Sequence, residues 1–248
     1  MVIPALDSLI PRGLYNTPGI ATAPRFGFAY DPFGKAKTAI RGGFGMFYTR
    51  NDTSSGSFIQ IPIFSTPTLF YGRFGSLRSS AGLDFPQGVT GIDRNPKPSY
   101  SMNLSVSVQQ DMGKGVIVDV GYVGNLGRNL LWRRNLNPVP FGANFLAANA
   151  DPTNVRVPLP QTFLRPVVGY TDVNMVEWAS SSNYHSLQAT ANRRFARGLD
   201  FGLAHKWSKA MNYQDDDDAA ISALVSLRVW QYALAGYDRT HVMKLNFV

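Results

Sequence analysis

Residues 99–124, SYSMNLSVSVQQDMGKGVIVDVGYVG, decide the fold, because apolar and polar side chains alternate along them on both sides of a tight turn. A period of two is typical of a β-strand with one apolar and one polar face. The turn at 111–115 contains two glycines, which adopt positive φ at no steric cost. The stretch therefore predicts a β-hairpin with polar atoms along one whole side. The apolar face of its two strands consists of Tyr100, Met102, Leu104, Val106, Val108, Val116, Val118, Val120 and Tyr122.

The same pattern recurs before and after this hairpin. A second hairpin is predicted over residues 25–48 and a third over residues 185–208, each with a turn of a few residues. A seventh strand is predicted over residues 241–248. Residues 1–24 contain four prolines and show no period, so we expect a loop or arm there. The sequence thus predicts an arm and one all-β domain over residues 25–248.

Long connections follow each of the three hairpins, and we expect them to be largely irregular. They span residues 49–98, 125–183 and 209–240. The second connection keeps the alternation over residues 126–134, so the strand before it is predicted to project past its neighbours. The third contains an apolar stretch, residues 219–234, that predicts a short helix capped by Asp218. Short turns and long connections therefore alternate along the chain.

The composition limits the class of protein. Charged residues make up 16% of the chain, against about 25% in a typical soluble domain. No apolar run reaches the ~18 residues that a membrane-spanning helix needs. The chain has no cysteine, which excludes disulfides and thiolate metal sites. The net charge of +8 is spread without dense basic runs, so we expect no nucleic-acid partner.

The alternation fits both a membrane barrel and a soluble sandwich, and the loop lengths distinguish these two classes. Bacterial outer-membrane barrels combine antiparallel strands with short periplasmic turns and long extracellular loops. The predicted strands are long enough to cross the hydrocarbon layer at a tilt. We therefore expect an antiparallel up-and-down transmembrane β-barrel in the bacterial outer membrane, in contact with its lipid. The alternative is a secreted or surface-exposed, adhesin-like binding module whose apolar faces pack into a sandwich.

Aromatic residues on the apolar side of the strands are predicted to form two belts, one at each membrane interface. The belt near the long loops would contain Tyr48, Tyr100, Tyr122 and Trp207. The belt near the short turns would contain Tyr30, Phe195 and Phe201. Tyr184 falls on the other side of its strand and does not fit this pattern.

Basic residues provide the candidate binding groups. On the polar side of the strands, and so predicted to line the lumen, are Arg41, Arg194, Lys206 and Lys244. At the loop end of the projecting strand, within reach of lipopolysaccharide phosphates, are Arg128, Arg133 and Arg134. The run Asp215–Asp218 suits calcium by its carboxylates, but it lacks the glycine and terminal glutamate of an EF-hand loop. We expect it to be a solvated loop without a metal.

No catalytic or cofactor-binding residue is predicted. The three histidines, His185, His205 and His241, lie far apart in the sequence. Ser186 follows His185, but successive strand residues face opposite ways and cannot form a nucleophile and base by adjacency. We therefore expect a protein that is not an enzyme.

Four stretches, residues 24–50, 95–138, 180–212 and 232–248, resemble the barrel portion of TonB-dependent outer-membrane receptors. The segments NYHSLQ (183–188), WSKA (207–210) and DRTHV (238–242) are similar to those of the Oar-like group, which has a carboxypeptidase-regulatory-like N-terminal domain. The resemblance implies a barrel of about twenty-two strands, plugged by an N-terminal domain. It also implies an unknown ligand that the outer loops recognise, and import driven by the TonB energy-coupling complex.

The chain departs from that family in ways that predict a fragment. We recognise no plug, no energy-coupling box and no signal peptide, so contact with TonB would require the missing plug. Seven strands cannot close such a barrel. The isolated chain is therefore expected to leave two unpaired edges and to aggregate.

Overall fold

The structure is a computed structural model that describes residues 16, 19–49, 87–93, 95–196, 198–215, 220–222, 224, 229 and 231–247. Most of the predicted arm and most of the first long connection lie outside these residues. The side chains of Arg194 and Phe195 lie outside them too, so the lumen position of Arg194 and the belt position of Phe195 stay predictions.

Strands dominate the described residues. They are β1 (Arg25–Tyr30), β2 (Thr38–Thr49), β3 (Gln87–Ile92), β4 (Ser99–Gly113), β5 (Val116–Asn135), β6 (Ala150–Asp151), β7 (Asn154–Pro158), β8 (Tyr170–Ala196), β9 (Leu199–Asn212), β10 (Ala220–Ser222), β11 (Ala233–Leu234) and β12 (His241–Phe247). The longest described helix, α1, is a single turn over Gln161–Leu164, and two 3-10 turns cover Ala143–Phe145 and Ala147–Asn149. The all-β class predicted from the sequence is confirmed.

Seven of these strands form one antiparallel sheet in chain order, which is the predicted up-and-down arrangement. β1 pairs with β2, β2 with β4, β4 with β5, β5 with β8, β8 with β9, and β9 with β12. Within the described residues β1 and β12 stand at the two ends of this order, so the sheet is open rather than closed. This is the incomplete barrel that the sequence predicts.

The register gives the sheet two chemically different faces. One cross-strand row joins Phe28, Gly42, Val106, Tyr122, Leu187, Trp207 and His241. The next row joins Ala29, Arg41, Ser107, Gly121, Gln188, Lys206 and Val242. Because successive residues of a strand point to opposite sides, these rows belong to opposite faces, which we name the apolar face and the polar face.

The apolar face has no packing partner among the described residues. Phe26 is 66% exposed, Trp207 is 55% exposed and Phe247 is 73% exposed. A soluble sandwich would bury such side chains, because large exposed apolar surfaces are unfavourable in water. The faces are therefore arranged as in a sheet whose apolar side contacts lipid.

The second long connection is more regular than the sequence analysis expects. β5 has 20 residues and β8 has 27, and the two strands stay paired up to Asn135 and Asn174. β3 adds to β8 in parallel, and β10 adds to β5 in parallel. β5 projects past β4, as predicted, but β8 extends alongside it, and the irregular segment predicted over residues 125–183 is wrong at both ends.

Burial on both faces explains why the sequence pattern does not predict the β8 half of this extension. The described hydrophobic core includes Trp132, Val176 and Trp178 of this extension, Leu164 of α1 and Ile221 of β10. Strands buried on both faces do not alternate cleanly. In addition, Asn129 adopts a positive φ of 52° where the β5–β8 register shifts, so the alternation changes side there.

The helix predicted over residues 219–234 is wrong at both ends, where Ala220–Ser222 and Ala233–Leu234 are strands, whereas Val229 is helical. Residues Ala220–Ser222 are strand β10, paired with Arg133–Asn135 of β5. Ile221 is buried in that pairing, so its apolar character reflects packing against a sheet. Asp218, the predicted cap, lies outside the described residues.

The DRTHV segment builds the junction between β11 and β12, which both pair with β9. Asp238 accepts a hydrogen bond from the Ala210 backbone N–H at 2.7 Å and one from the Thr240 hydroxyl at 3.0 Å. The Ser208 N–H donates to the Thr240 carbonyl at 2.8 Å. The pairing with β9, interrupted after β11, therefore resumes here and continues into β12. The carboxylate of Asp238 therefore satisfies a backbone group that the break in the ladder would leave unpaired.

We predict that Gly121→Ala destabilises the sheet by about 1–3 kcal/mol, the usual cost of overpacking. A Cβ atom at Gly121 would lie 2.8 Å from the Ser107 Cβ and 3.3 Å from the Val106 carbonyl oxygen. The temperature at which the protein loses heat-modifiable migration on a gel should fall. Gly43→Ala is the matched control, since its Cβ would meet nothing closer than the Ser105 Oγ at 3.6 Å. Equal shifts for both variants would contradict the prediction.

The β1–β2 turn depends on one carboxylate. Asp31 accepts hydrogen bonds from the backbone N–H groups of Ala36, Phe33 and Gly34, at 2.7, 3.1 and 3.0 Å. These bonds, the one from Ala36 most of all, hold the pKa of Asp31 below its usual range. A lowered pKa means that the carboxylate stabilises the turn above the unfolded-state pKa and loses this effect as the pH falls through the folded-state value.

We therefore expect the amides of residues 33–36 to lose protection from hydrogen exchange in acid, relative to an unstructured reference peptide at the same pH. Asp31→Ala should remove that protection already at neutral pH. Asp31→Asn, which keeps an acceptor but cannot titrate, should retain part of it without the acid transition. A transition that persists in Asp31→Asn would assign it to another group.

Candidate functional site

A cavity of about 510 Å³ lies on the polar face. Its centre is one cross-strand row that runs over five strands from Arg25 to Tyr184. In order across the sheet this row is Arg25, Gly45, Asn103, Asn125 and Tyr184. All five residues line the cavity, together with Gly43, Phe47, Ser105 and Val123 from the same face. The register thus brings together residues from five strands that are far apart in sequence.

Glycines and asparagines contribute to the floor of the cavity, which Phe26, Phe44, Leu104 and Gly124 also line. Gly43 and Gly45 have no side chain, which leaves space above β2. The Asn125 side-chain amide donates to the Asn103 Oδ1 across the β4–β5 pair. Among the described residues the Asn103 amide nitrogen donates to no other group, so its N–H donors are available to a ligand.

Two cations lie close to aromatic rings that line the cavity. The Arg25 guanidinium carbon lies 4.4 Å from the centre of the Phe47 ring. The Lys206 Nζ lies 6.0 Å from the centre of the Tyr184 ring. Cation–π attraction orients such groups without a counter-ion. Tyr184, which did not fit the aromatic belts, thus belongs to the polar face.

Three of the four predicted lumen residues lie on the polar face. Arg41 and Lys206 occupy the same cross-strand row, and Lys244 lies one row closer to the turns, in the row of Asp119. Arg25 belongs to this set as well, although the sequence analysis did not select it. Its alternation with Phe26 placed it on the polar side, but its contact with Phe47 depends on packing between β1 and β2.

The three predicted lipopolysaccharide contacts do not form one cluster. Arg128 donates to the carbonyls of Gly127 and Ser182 at 2.7 and 3.0 Å, on the turn side of the register shift. Arg134 lies beyond the shift and forms an ion pair with Glu177 at 2.6 Å. Arg133 lies beside Ala220 of β10. Of these, Arg134 has its charge largely balanced within the chain.

The predicted belt residues lie on the apolar face where their side chains are described. Tyr48 and Tyr100 are cross-strand partners with ring centres 5.5 Å apart, and Tyr122 and Trp207 share one row. Tyr30 pairs with Ile40, and Phe201 pairs with Phe247. Their depth in a membrane stays a prediction.

The histidines also lie on the apolar face, which the sequence analysis missed. His205 and His241 are brought together, with Nε2 and Nδ1 3.3 Å apart, and the His241 ring stacks on Trp207 at 6.3 Å. The Nδ1 of His185 lies 2.5 Å from the Tyr122 hydroxyl. The strand parity of these residues was visible in the sequence, but their pairing needed the register.

The connection between β5 and β8 is held by a buried polar clip. The Asn137 side chain is completely buried. Its Oδ1 accepts from the Val167 N–H at 2.7 Å, and its Nδ2 donates to the carbonyls of Val167, Tyr170 and Thr171 at 3.1, 3.3 and 2.9 Å. Arg165 adds bonds to the Asn137 carbonyl at 2.6 Å and to the Asp172 carboxylate at 2.8 Å. This connection is therefore an ordered structure above the sheet.

Of the predicted carboxylate cluster, Asp215 has a structural role. It accepts from the Asn212 side-chain amide at 2.7 Å and from the Gly236 N–H at 2.9 Å. Asp216, Asp217 and Asp218 lie outside the described residues. In the described part of the chain, no group of three or more histidine, aspartate or glutamate residues is arranged to hold a metal ion. No described helix is long and apolar enough to cross a membrane.

An open antiparallel sheet with an exposed apolar face, a polar face and alternating short turns and long connections defines a transmembrane β-barrel protein. The family described as outer membrane beta barrel domain matches residues 1–248, and the chain belongs to that family. It therefore lies in the bacterial outer membrane.

One solved structure supports this fold, and a second aligns with it less well. The outer membrane transporter YddB from Escherichia coli is similar over 91% of this chain and 26% of its own, with a TM-score of 0.53 and 14% identity. The FrpB iron transporter from Neisseria meningitidis aligns over 77% of this chain and 20% of its own, with a TM-score of 0.39 and 14% identity. The chain thus spans about a quarter of the length of YddB. No curated protein matches it in sequence.

We predict that Asn137→Ala opens the connection between β5 and β8. The change leaves buried backbone groups without partners, at a cost of about 1–3 kcal/mol for each unsatisfied group. Protease cleavage within residues 138–169 of the membrane-embedded protein should rise strongly, as mapped by mass spectrometry. Asn149→Ala, which removes a single bond to the Ala143 carbonyl at 2.8 Å, serves as the control and should change cleavage little.

Proposed function

We propose that the chain is part of a TonB-dependent outer-membrane transporter of the Oar-like group, which binds a ligand through its extracellular loops and imports it. The observation that carries this proposal is the pair of opposite faces on one up-and-down sheet. An exposed apolar face suits lipid, and a polar face suits a water-filled interior. The segments NYHSLQ, WSKA and DRTHV support the assignment to the Oar-like group.

The long connections are the ligand-recognition part of this proposal. The extended β5–β8 pair carries an ordered platform beyond the sheet, with β3, β10 and the Asn137 clip. Loops carried on a rigid scaffold are frequent binding sites. The polar face, with Arg41, Lys206 and Lys244, would line the path of the ligand, and Arg194 is expected beside them.

Partners follow from the same proposal. The belts of Tyr48, Tyr100, Tyr122 and Trp207, and of Tyr30, Phe195 and Phe201, would lie at the two membrane interfaces. Arg128 and Arg133 would contact lipopolysaccharide phosphates, with Arg134 contributing less because of its pairing with Glu177. The TonB complex would act through a plug domain outside these residues. We propose no enzymatic activity and no cofactor.

The adhesin-like alternative is disfavoured by the exposed apolar face, because a soluble binding module would bury it. It still differs from the transporter in a measurable property. An adhesin binds its ligand at the surface without consuming it, whereas a transporter removes the ligand from the medium at the expense of the inner-membrane energy source.

The test compares solutes depleted from the medium by three strains: the wild type, one that lacks this protein and one that lacks TonB. We expect at least one solute to be consumed by the wild type and left behind by both mutants. Protease shaving of intact cells should release peptides from 136–169 and spare the turns at 31–37 and 114–115.

Two results would contradict the proposal. Depletion that requires this protein but continues without TonB would indicate passive uptake. Cleavage at the short turns in intact cells, with the long connections protected, would reverse the topology.

A further inference from the structure

We propose that the polar face carries an oxyanion-binding site in the cavity between Arg25 and Lys206, which takes a small solute bearing carboxylate or phosphate groups. The inference rests on the proposed function, because it requires the polar face to line a water-filled path. It names the chemical class of ligand that this path selects.

Charge is segregated along the polar face. In the described strands its carboxylates are Asp111, Asp119 and Asp200, and all three lie closer to the short turns than the Arg41–Lys206 row. From that row to the cavity, the charged side chains of the polar face are Arg41, Lys206 and Arg25. A solute entering from the loops therefore meets a positive stretch before it meets any of these carboxylates, which favours anions.

The two carboxylates of the extended β5–β8 pair do not cancel this charge, because each is paired with another cation, and Asp215 and Asp238 accept hydrogen bonds from neutral groups of the chain. Glu177 pairs with Arg134 at 2.6 Å, and Asp172 pairs with Arg165 at 2.8 Å. Among the described residues, no carboxylate lies within ion-pairing distance of Arg25, Arg41 or Lys206. The counter-charge for these cations would come from the solute.

The two terminal cations are positioned in advance. Arg25 lines the cavity and lies over Phe47, and Lys206 lies outside the lining, next to the Tyr184 ring that borders the cavity. Each therefore offers N–H donors within reach of a solute in the cavity. Charge-assisted hydrogen bonds from such donors to carboxylate or phosphate are shorter and stronger than neutral ones. The Asn103 amide and the Ser105 hydroxyl supply neutral donors between them.

The dimensions suit a small molecule. A volume of about 510 Å³ falls within the range of roughly 300–1,000 Å³ that is usual for ligand sites. Arg25 and Tyr184 stand four strand spacings apart, or about 19 Å. A solute with one anionic group would contact one cation, and a longer polyanion would contact both.

Because the chain contains no cysteine, a thiol introduced at Ser105 reports on the cavity without interference from these residues. We would label Ser105→Cys, in outer-membrane preparations of the whole protein, with an anionic sulfonatoethyl and a cationic trimethylammonioethyl methanethiosulfonate. The rates are divided by those of a free small thiol. The anionic reagent should react faster, and Arg25→Gln or Lys206→Gln should each reduce the ratio about two- to fourfold.

Controls come from the same strands. Val106→Cys lies one residue away on the apolar face and should react with neither charged reagent. Lys244→Gln removes a cation from the row that contains Asp119, below the cavity, and should leave the ratio at Ser105→Cys unchanged. Citrate should slow labelling of Ser105→Cys by neutral methyl methanethiosulfonate, while glucose at the same concentration should not.

The outcomes separate this inference from the proposed function. If neither charged reagent reacts with Ser105→Cys or with Val106→Cys, the two faces are equally inaccessible to water. The polar face is then not water-filled, and the transport proposal falls with the site. If both reagents react at equal corrected rates, or if citrate gives no protection, the water-filled path stands and the oxyanion site is overturned.

Discussion

Backbone hydrogen bonding without water is the constraint on which the rest of the structure depends. In the hydrocarbon layer each unpaired N–H or C=O group costs several kcal/mol, so spanning strands must be paired along their length. The ladders from β1 to β12 provide this pairing across seven strands. At the break before β12, Asp238 supplies the acceptor that the ladder lacks. The described edges at β1 and β12 require further strands or another partner within a membrane.

The same ladder fixes what each face can contain. Once the register is set, every second residue faces lipid and the others face the interior, so a shift by one residue would exchange the two sets. This accounts for the low share of charged residues, since half of each spanning strand excludes them. It also explains the close approach at Gly121, where the polar face leaves no room for a Cβ beside Ser107. Polar rings such as His205 and His241 occur on the apolar face as mutually bonded groups.

The sequence predicted the spanning part of the fold well and the outer part poorly, for one physical reason. A period of two is visible only where one side of a strand is apolar and the other polar, as in residues 100–109. Residues 170–182 of β8 show no such period, because the outer part of the β5–β8 pair is buried on both sides by Trp132, Val176 and Trp178, although the pairing continues. For the cavity, parity placed Asn103 and Lys206 on the polar side. The sequence pattern of a single strand does not show which residues of the next strand lie opposite it. The contacts of Asn103 with Asn125, and of Arg25 with Phe47, therefore could not be predicted.

Order in the outer connection and openness in the cavity have different consequences for binding. The buried hydrogen bonds of the Asn137 clip order residues 137–171 before any ligand binds. This order lowers the entropy that is lost on binding. The cavity has no comparable network: glycines and amides contribute to its floor, and two cations lie close to rings that line it. Selection at the rigid outer surface and contact along the polar face together suit a solute that must be captured and then released inward.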